Sequence, residues 1–205
     1  MATQRYETEP GKQVQVDWGI GFYQDEKDGR SHKVYVLVMV LGYSRAMYAE
    51  FSNHCDIHRF LRGLIQGFSY FGGVTDIVLS DQMKTVILGW DEKRKPIWHP
   101  LFLDVALTLG FIPQVCRARR PQTKGKVERG VGYVKANFLP GRTFQDRGDL
   151  NRQAYQWCEE KNQRLHGTTG QKPKDLLLQE NLKPLPSLES YQKYLTEKRK
   201  VSKDG

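Results

Sequence analysis

At 205 residues, with 39% hydrophobic side chains and a formal net charge of +9, the chain can bury a real core in one sizeable domain with a small appendage. The positive balance points to a polyanionic partner, and the polar start MATQRYETEPGKQ, with charges of both signs, does not read as a signal peptide. The longest apolar run, Val34 to Gly42, is too short to span a bilayer. Cys55, Cys116 and Cys158 stand far apart without a C-x-x-C pair, which argues against a zinc or redox centre and for a reduced, cytoplasmic setting.

Val14, Val16 and Trp18 alternate with Gln15, Asp17 and Gly19, the period of a strand, so Asp17 points away from the valines. His32 to Tyr43 is a nearly continuous β-branched run expected of a strand covered on both faces, and Ala46 to Ser52 forms a third strand after the turn Gly42-Tyr43-Ser44. Ile57, Phe60, Leu61, Leu64, Ile65 and Phe68 then recur at helical spacing behind Asp56 as N-cap, with the end near Gly72-Gly73. His54 and His58, with Cys55 between them, have the i, i+4 spacing of metal ligands but no second pair nearby, and read as a polar helix start.

Asp76 to Asp81 is a short buried strand ending in an acid and, after a helix, is expected to run parallel to its neighbour. Thr85 to Pro100 reads as a projecting hairpin with the solvated tip Asp91 to Lys95. Leu101 to Phe111 is a second helix, Ile112 to Ala118 a fifth strand, and a third helix carries Val127, Val131, Val134 and Phe138 on its apolar stripe. Gly130 and Gly132 within it each cost roughly 1 kcal/mol relative to alanine, which either close approach of a DNA backbone or tight helix packing explains. A last helix is expected from about Asp149 to Leu165. The Gly-Thr-Thr-Gly of residues 167–170 reads as its termination.

This order predicts an α/β fold: a mixed five-stranded sheet flanked by helices, with a hairpin insertion. We divide it into a lead-in (1–12), a catalytic core (13–140), a helical extension (141–186) and a charged linker or tail (187–205). Both ends read as cut from a longer chain.

Between Cys116 and Lys135 seven basic residues, Arg117, Arg119, Arg120, Lys124, Lys126, Arg129 and Lys135, surround the single acid Glu128. An acid amid bases that would neutralise phosphate needs a compensating cation. Asp17, at the first strand, and Asp81, at the end of the fourth, are its candidate partners, since those strands can be neighbours and the third helix can pack over their ends. Magnesium suits three such carboxylates, and two ions roughly 3.5–4 Å apart can activate an attacking oxygen and stabilise a leaving one; manganese can substitute. Singly, Asp17 reads equally as a solvent-facing strand residue, Asp81 as a turn aspartate, and Glu128 as a partner of Lys124 one helical turn away. Lys135, seven residues past Glu128, projects from almost the same helix side.

VQVDWG, VLSDQMKTV and RRPQTKGKVERGVGYVK resemble the three catalytic segments of the integrase-core superfamily, and with RYETEPGKQVQVDWG, NQRLHGTTGQKP and LKPLP the chain resembles more closely the IstA-type insertion-sequence transposases, over about Arg5 to Pro186. The resemblance implies a ribonuclease-H-like fold and metal-binding catalytic residues Asp17, Asp81 and Glu128. It also implies hydrolysis that exposes 3′-hydroxyls at element ends, followed by their transfer into target DNA. No covalent protein intermediate is required, in keeping with the lack of a Ser/His or Cys/His constellation. Lys84, Arg119, Arg120, Lys124, Lys126, Arg129 and Lys135 are the candidate DNA contacts. An AAA+ ATPase partner, a homo-oligomer and a place at the bacterial nucleoid are further implications. The 46 residues between Asp81 and Glu128 exceed the short spacing of retroviral integrases, and the Thr85 to Pro100 hairpin accounts for the surplus. Two other readings stay open: a non-catalytic DNA-binding or assembly module that kept the fold, and a ribonuclease-H-like nuclease that cuts without joining.

Overall fold

The computed structural model describes residues 8–116 and 127–196, and of residues 127–129 the backbone alone. Its elements are β1 (Gln13–Asp25), β2 (Ser31–Leu41), β3 (Met47–Ser52), α1 (Ile57–Phe71), β4 (Ile77–Ser80), β5 (Ile87–Trp90), β6 (Pro96–Trp98), α2 (Pro100–Leu109), β7 (Ile112–Val115), α3 (Val127–Asn137), β8 (Thr143–Phe144), α4 (Arg147–Asn162), α5 (Pro173–Leu177) and α6 (Leu188–Leu195). The expected mixed sheet is present in the order β3-β2-β1-β4-β7, with β1, β2 and β3 antiparallel and β4 and β7 parallel to β1. The insertion forms its own two-stranded sheet, β5 with β6.

Two apolar layers hold the sheet, one on each face, as strict strand alternation requires. Val14, Val16, Leu37 and Met39 pack under α1 and α2 through Phe60, Leu64, Phe68 and Phe102. Val34, Val36, Val38 and Val40 face the other way, onto Val134 and Phe138 of α3 and Leu150, Ala154 and Trp157 of α4.

Several boundaries differ from the sequence reading. β1 runs on to Asp25, because Gly19 and Gly21 let α3 and the segment after it lie directly on the strand; a Cβ at Gly21 would stand 2.7 Å from Leu139 Cδ1. The two-residue β8 adds a sixth strand, parallel to the far end of β1, where five were expected. The hairpin strand ends at Trp98 and Pro100 opens α2, since His99 Nδ1 accepts from Leu101 N at 3.2 Å as N-cap and proline fits the first helical turn. The last long helix begins at Arg147, capped by Asp146, and ends at Asn162, so the 167–170 turn stands apart from its terminus. Residues 188–195, expected as charged tail, form α6 and bury Tyr191 and Tyr194 against the α1 and α2 layer.

Edge strand β3 is closed by side chains of α4. Asn162 Oδ1 accepts from Met47 N at 2.9 Å while its Nδ2 donates to Met47 O at 2.9 Å, and Asn151, three turns earlier, does the same for Phe51 at 2.7 and 3.0 Å. The helix thus satisfies an edge that would otherwise pair with another chain. Asn162→Ala leaves the Met47 peptide unpaired where water is excluded, and is expected to lower unfolding free energy by about 1–3 kcal/mol in a denaturant titration.

Candidate functional site

The parallel register of β1 and β4 sets Val16 beside Ser80. Asp17 and Asp81 are the residues that follow this last pair, Asp17 still within β1 and Asp81 just past the end of β4. Because side chains alternate along β1, Asp17 lies on the face opposite Val14 and Val16, the face that α3 covers. Both acids are half-buried, and Asp17 Oδ1 accepts from Trp18 N at 2.8 Å. β4 ends here while β1 continues, so the two acids stand where the chain leaves the sheet, and Asp17 lines a cleft of about 540 Å³.

Glycines set the height of α3 above this point. A Cβ on Gly19 would meet Val131 Cγ1 at 2.4 Å, and one on Gly130 would meet Val38 and Val40 methyls at 3.1 Å, Val38 being the cross-strand partner of Asp17. The N-terminal turn of α3, which carries Glu128 in its backbone, therefore runs toward the Asp17 end of the sheet; the Glu128 side chain lies outside the described residues. Gly130 and Gly132 have different reasons to be glycine. Packing accounts for Gly130, whereas Gly132 is exposed with no atom within 4 Å of its would-be Cβ, leaving its backbone open to a ligand.

Of the basic residues, Lys84 lines the cleft together with Asp17 and is exposed, and Lys135 is exposed on the last turn of α3. Arg119, Arg120, Lys124 and Lys126 lie outside the described residues, as does the Arg129 side chain. The sequence reading missed the remainder of the wall. Trp18, Asp56 and His99 line the cleft too, with Asp56 also capping α1 by accepting from Arg59 N at 2.9 Å. No sequence signal joins these positions, since they meet only through the β1–β4 pairing and the start of α1. At the hairpin, Trp98 packs edge-on against Phe102 with ring centroids 5.5 Å apart, so it serves the core, and the tip 91–95 is solvated.

One trio of candidate metal ligands within mutual reach is Asp25, Asp28 and His32, at the distant turn between β1 and β2. His32 Nε2 lies 2.8 Å from Asp28 Oδ2, so these two satisfy each other on the surface, while Asp25 Oδ1 accepts from Lys27 N at 2.8 Å. The Asp17–Asp81 pair differs in being half-buried, beside a cleft, with hard oxygen donors suited to magnesium.

Comparison with known proteins shows the family and the fold. Residues 7–121, more than half of the chain, match the integrase core domain family. A putative transposase for insertion sequence element IS5376 of Geobacillus stearothermophilus is 43% identical over 99% of the chain and 50% of its own length. The transposase for insertion sequence element IS21 of Pseudomonas aeruginosa is 36% identical over 90% of the chain and 47% of its own length. The chain thus spans about half the length of these relatives. The HTLV-2 integrase catalytic core domain, solved in complex with magnesium, superposes with a TM-score of 0.55 at 15% identity, over 82% of the chain and 97% of that domain, which shows a shared ribonuclease-H-like fold. By the family match and these relatives, the chain belongs to the integrase core domain family and is akin to the insertion-sequence transposases.

Proposed function

We propose that this chain is the catalytic core of a DNA transposase in which Asp17, Asp81 and Glu128 hold two magnesium ions. The observation that supports this most directly is the parallel register of β1 and β4, whose last pair, Val16 and Ser80, immediately precedes Asp17 and Asp81. Two carboxylates so placed offer hard oxygen donors of like charge, a donor set that fits a divalent ion. Bound there, magnesium or manganese supplies the Lewis acidity that activates an attacking oxygen and stabilises a leaving one.

The protein's own work is positioning. Asp17 is oriented by the Trp18 N–H and lies where β4 stops, open to the cleft. Lys84 offers an ammonium to a phosphate lying in that cleft, Lys135 offers another from α3, and Arg119, Arg120, Lys124, Lys126 and Arg129 extend the basic rim in the sequence around Glu128. Element-end and target DNA are the substrates, within a homo-oligomer served by an AAA+ ATPase in the bacterial cytoplasm at the nucleoid. Among the described residues no helix is long and apolar enough to cross a membrane.

The test uses full-length protein with labelled element-end duplex and a target plasmid. With magnesium or manganese, strands nicked at the 3′ end and joined to target are expected, and neither product with EDTA. Nicking that never yields joined product would turn the reading to a nuclease. Binding without either product would turn it to an assembly module.

A further inference from the structure

Past Trp18, which walls the cleft that holds Asp17, two further depressions lie toward the β3 edge. Trp18 is a wall of both that cleft and a smaller depression of about 50 Å³, bounded by Arg59 and Arg62 of α1 and by Arg147, the first residue of α4. Arg62 and Arg147 also line a third depression, of about 450 Å³, to which α4 adds Arg152. The three form one run across the sheet at a single level, because Trp18 is paired with Leu37 and Leu37 with Glu50. Two strand spacings, about 10 Å, separate Trp18 from Glu50.

Four guanidinium groups thus flank a groove whose floor holds one acid, Glu50. That acid is internally engaged: the Tyr48 hydroxyl donates to Glu50 Oε2 at 3.1 Å, and the Gln66 amide, with its nitrogen turned toward the carboxylate, donates at 2.6 and 2.8 Å. Burial pushes the Glu50 carboxyl above its ordinary range, against the opposing pull of the Tyr48 hydrogen bond, Arg62, Arg59 and Arg147. Arg152 has an outside partner, Asp149, at 2.6 Å. Among the described residues neither Arg62 nor Arg147 has a carboxylate within ion-pair distance, so their forks keep capacity for a planar, multidentate anion.

We infer that this arginine-lined groove holds the sugar–phosphate backbone of a DNA strand running from the Asp17–Asp81 site past Trp18 to the β3 edge. The inference rests on the proposed function for the identity of the polyanion. It adds a second basic track, built from α1 and α4, to the one in the sequence around Glu128. An acidic protein surface or a second copy of the chain is the competing occupant.

The experiment measures binding of full-length protein to element-end duplex in EDTA, across a salt series, for wild type, the Arg62→Ala/Arg147→Ala double variant and the Arg62→Lys/Arg147→Lys double variant. Removal of two phosphate contacts is expected to weaken binding by about tenfold or more and to reduce the slope of log affinity against log salt by roughly 1.8. The lysine pair is expected to restore most of the slope. Should the alanine pair unfold, Arg152→Ala, at an exposed position, takes its place with an expected slope change of about 0.9. An unchanged slope in a folded variant, or altered oligomeric state at unchanged DNA affinity, overturns the inference. Because no metal is present, the outcome is independent of cutting. Joining by wild type together with an unchanged variant slope would sink the groove and spare the proposed function. A slope change in a protein that never cuts would sink the catalytic reading and leave the groove as a DNA track.

Discussion

Asp17→Asn, Asp81→Asn and Glu128→Gln are each expected to reduce metal-dependent nicking and joining by at least about 10³-fold in full-length protein, with thermal stability unchanged. The magnitude follows from the role proposed: a carboxylate that holds an ion at the transferring phosphate supports several kcal/mol of charge stabilisation in the transition state, and about 4 kcal/mol corresponds to 10³-fold. The stability expectation has a separate origin. Asp17 and Asp81 directly follow the paired residues Val16 and Ser80, outside the apolar layers, and the amides keep the shape of the acids they replace, so the fold does not depend on either charge. A catalytic role and a structural one therefore move the two measurements in different directions. Activity within tenfold of wild type for any of the three would remove that residue from the triad, and a large fall in melting temperature parallel to the lost activity would assign it to the fold.

How much of this was legible in the sequence depends on the range of the interaction. Alternation in VQVDWG placed Asp17 opposite the valines, and the strand order set β1 beside β4, because period-two patterning and parallel crossovers are local or topological rules. The continuation of β1 was hidden, since Gly19 and Gly21 interrupt the apolar alternation for the sake of a helix more than a hundred residues later. β8 is two residues long and has no periodicity to read. α6 was masked by its charges, although Tyr191 and Tyr194, three apart, are its buried stripe. The basic rim near Glu128 stood out as a contiguous string. Arg59, Arg62, Arg147 and Arg152 did not, because their groove exists only where α1 and α4 meet across β3. Asn151 and Asn162 likewise looked like ordinary helix residues until their amides were seen to close a strand edge.

Gly19→Val is expected to cost about 1–3 kcal/mol of stability and, in the protein that remains folded, to slow nicking and joining by about 10²-fold. Its Cβ alone would lie 2.4 Å from Val131 Cγ1 and 3.0 Å from Val36 Cγ1, and two further methyls have no room. Overpacking of this kind is relieved by moving the neighbour, with the energetic cost stated. Here the neighbour is α3, whose first turn carries Glu128. Val36 is anchored in the centre of the sheet between β1 and β3, so the helix is the part that yields. A displacement near 1 Å at a catalytic group is enough for the loss of rate. Gly132→Ala provides the control on the same helix: nothing lies within 4 Å of its would-be Cβ, so it is expected to gain about 0.5–1 kcal/mol from helix propensity without moving α3. Strand transfer assayed at equal folded fraction, with melting temperatures measured alongside, separates the effects. If Gly19→Val loses stability but joins DNA at the wild-type rate, the height of α3 over β1 does not position the third acid. If Gly132→Ala is more stable yet weaker in DNA binding, the open backbone at Gly132 is where the strand comes closest.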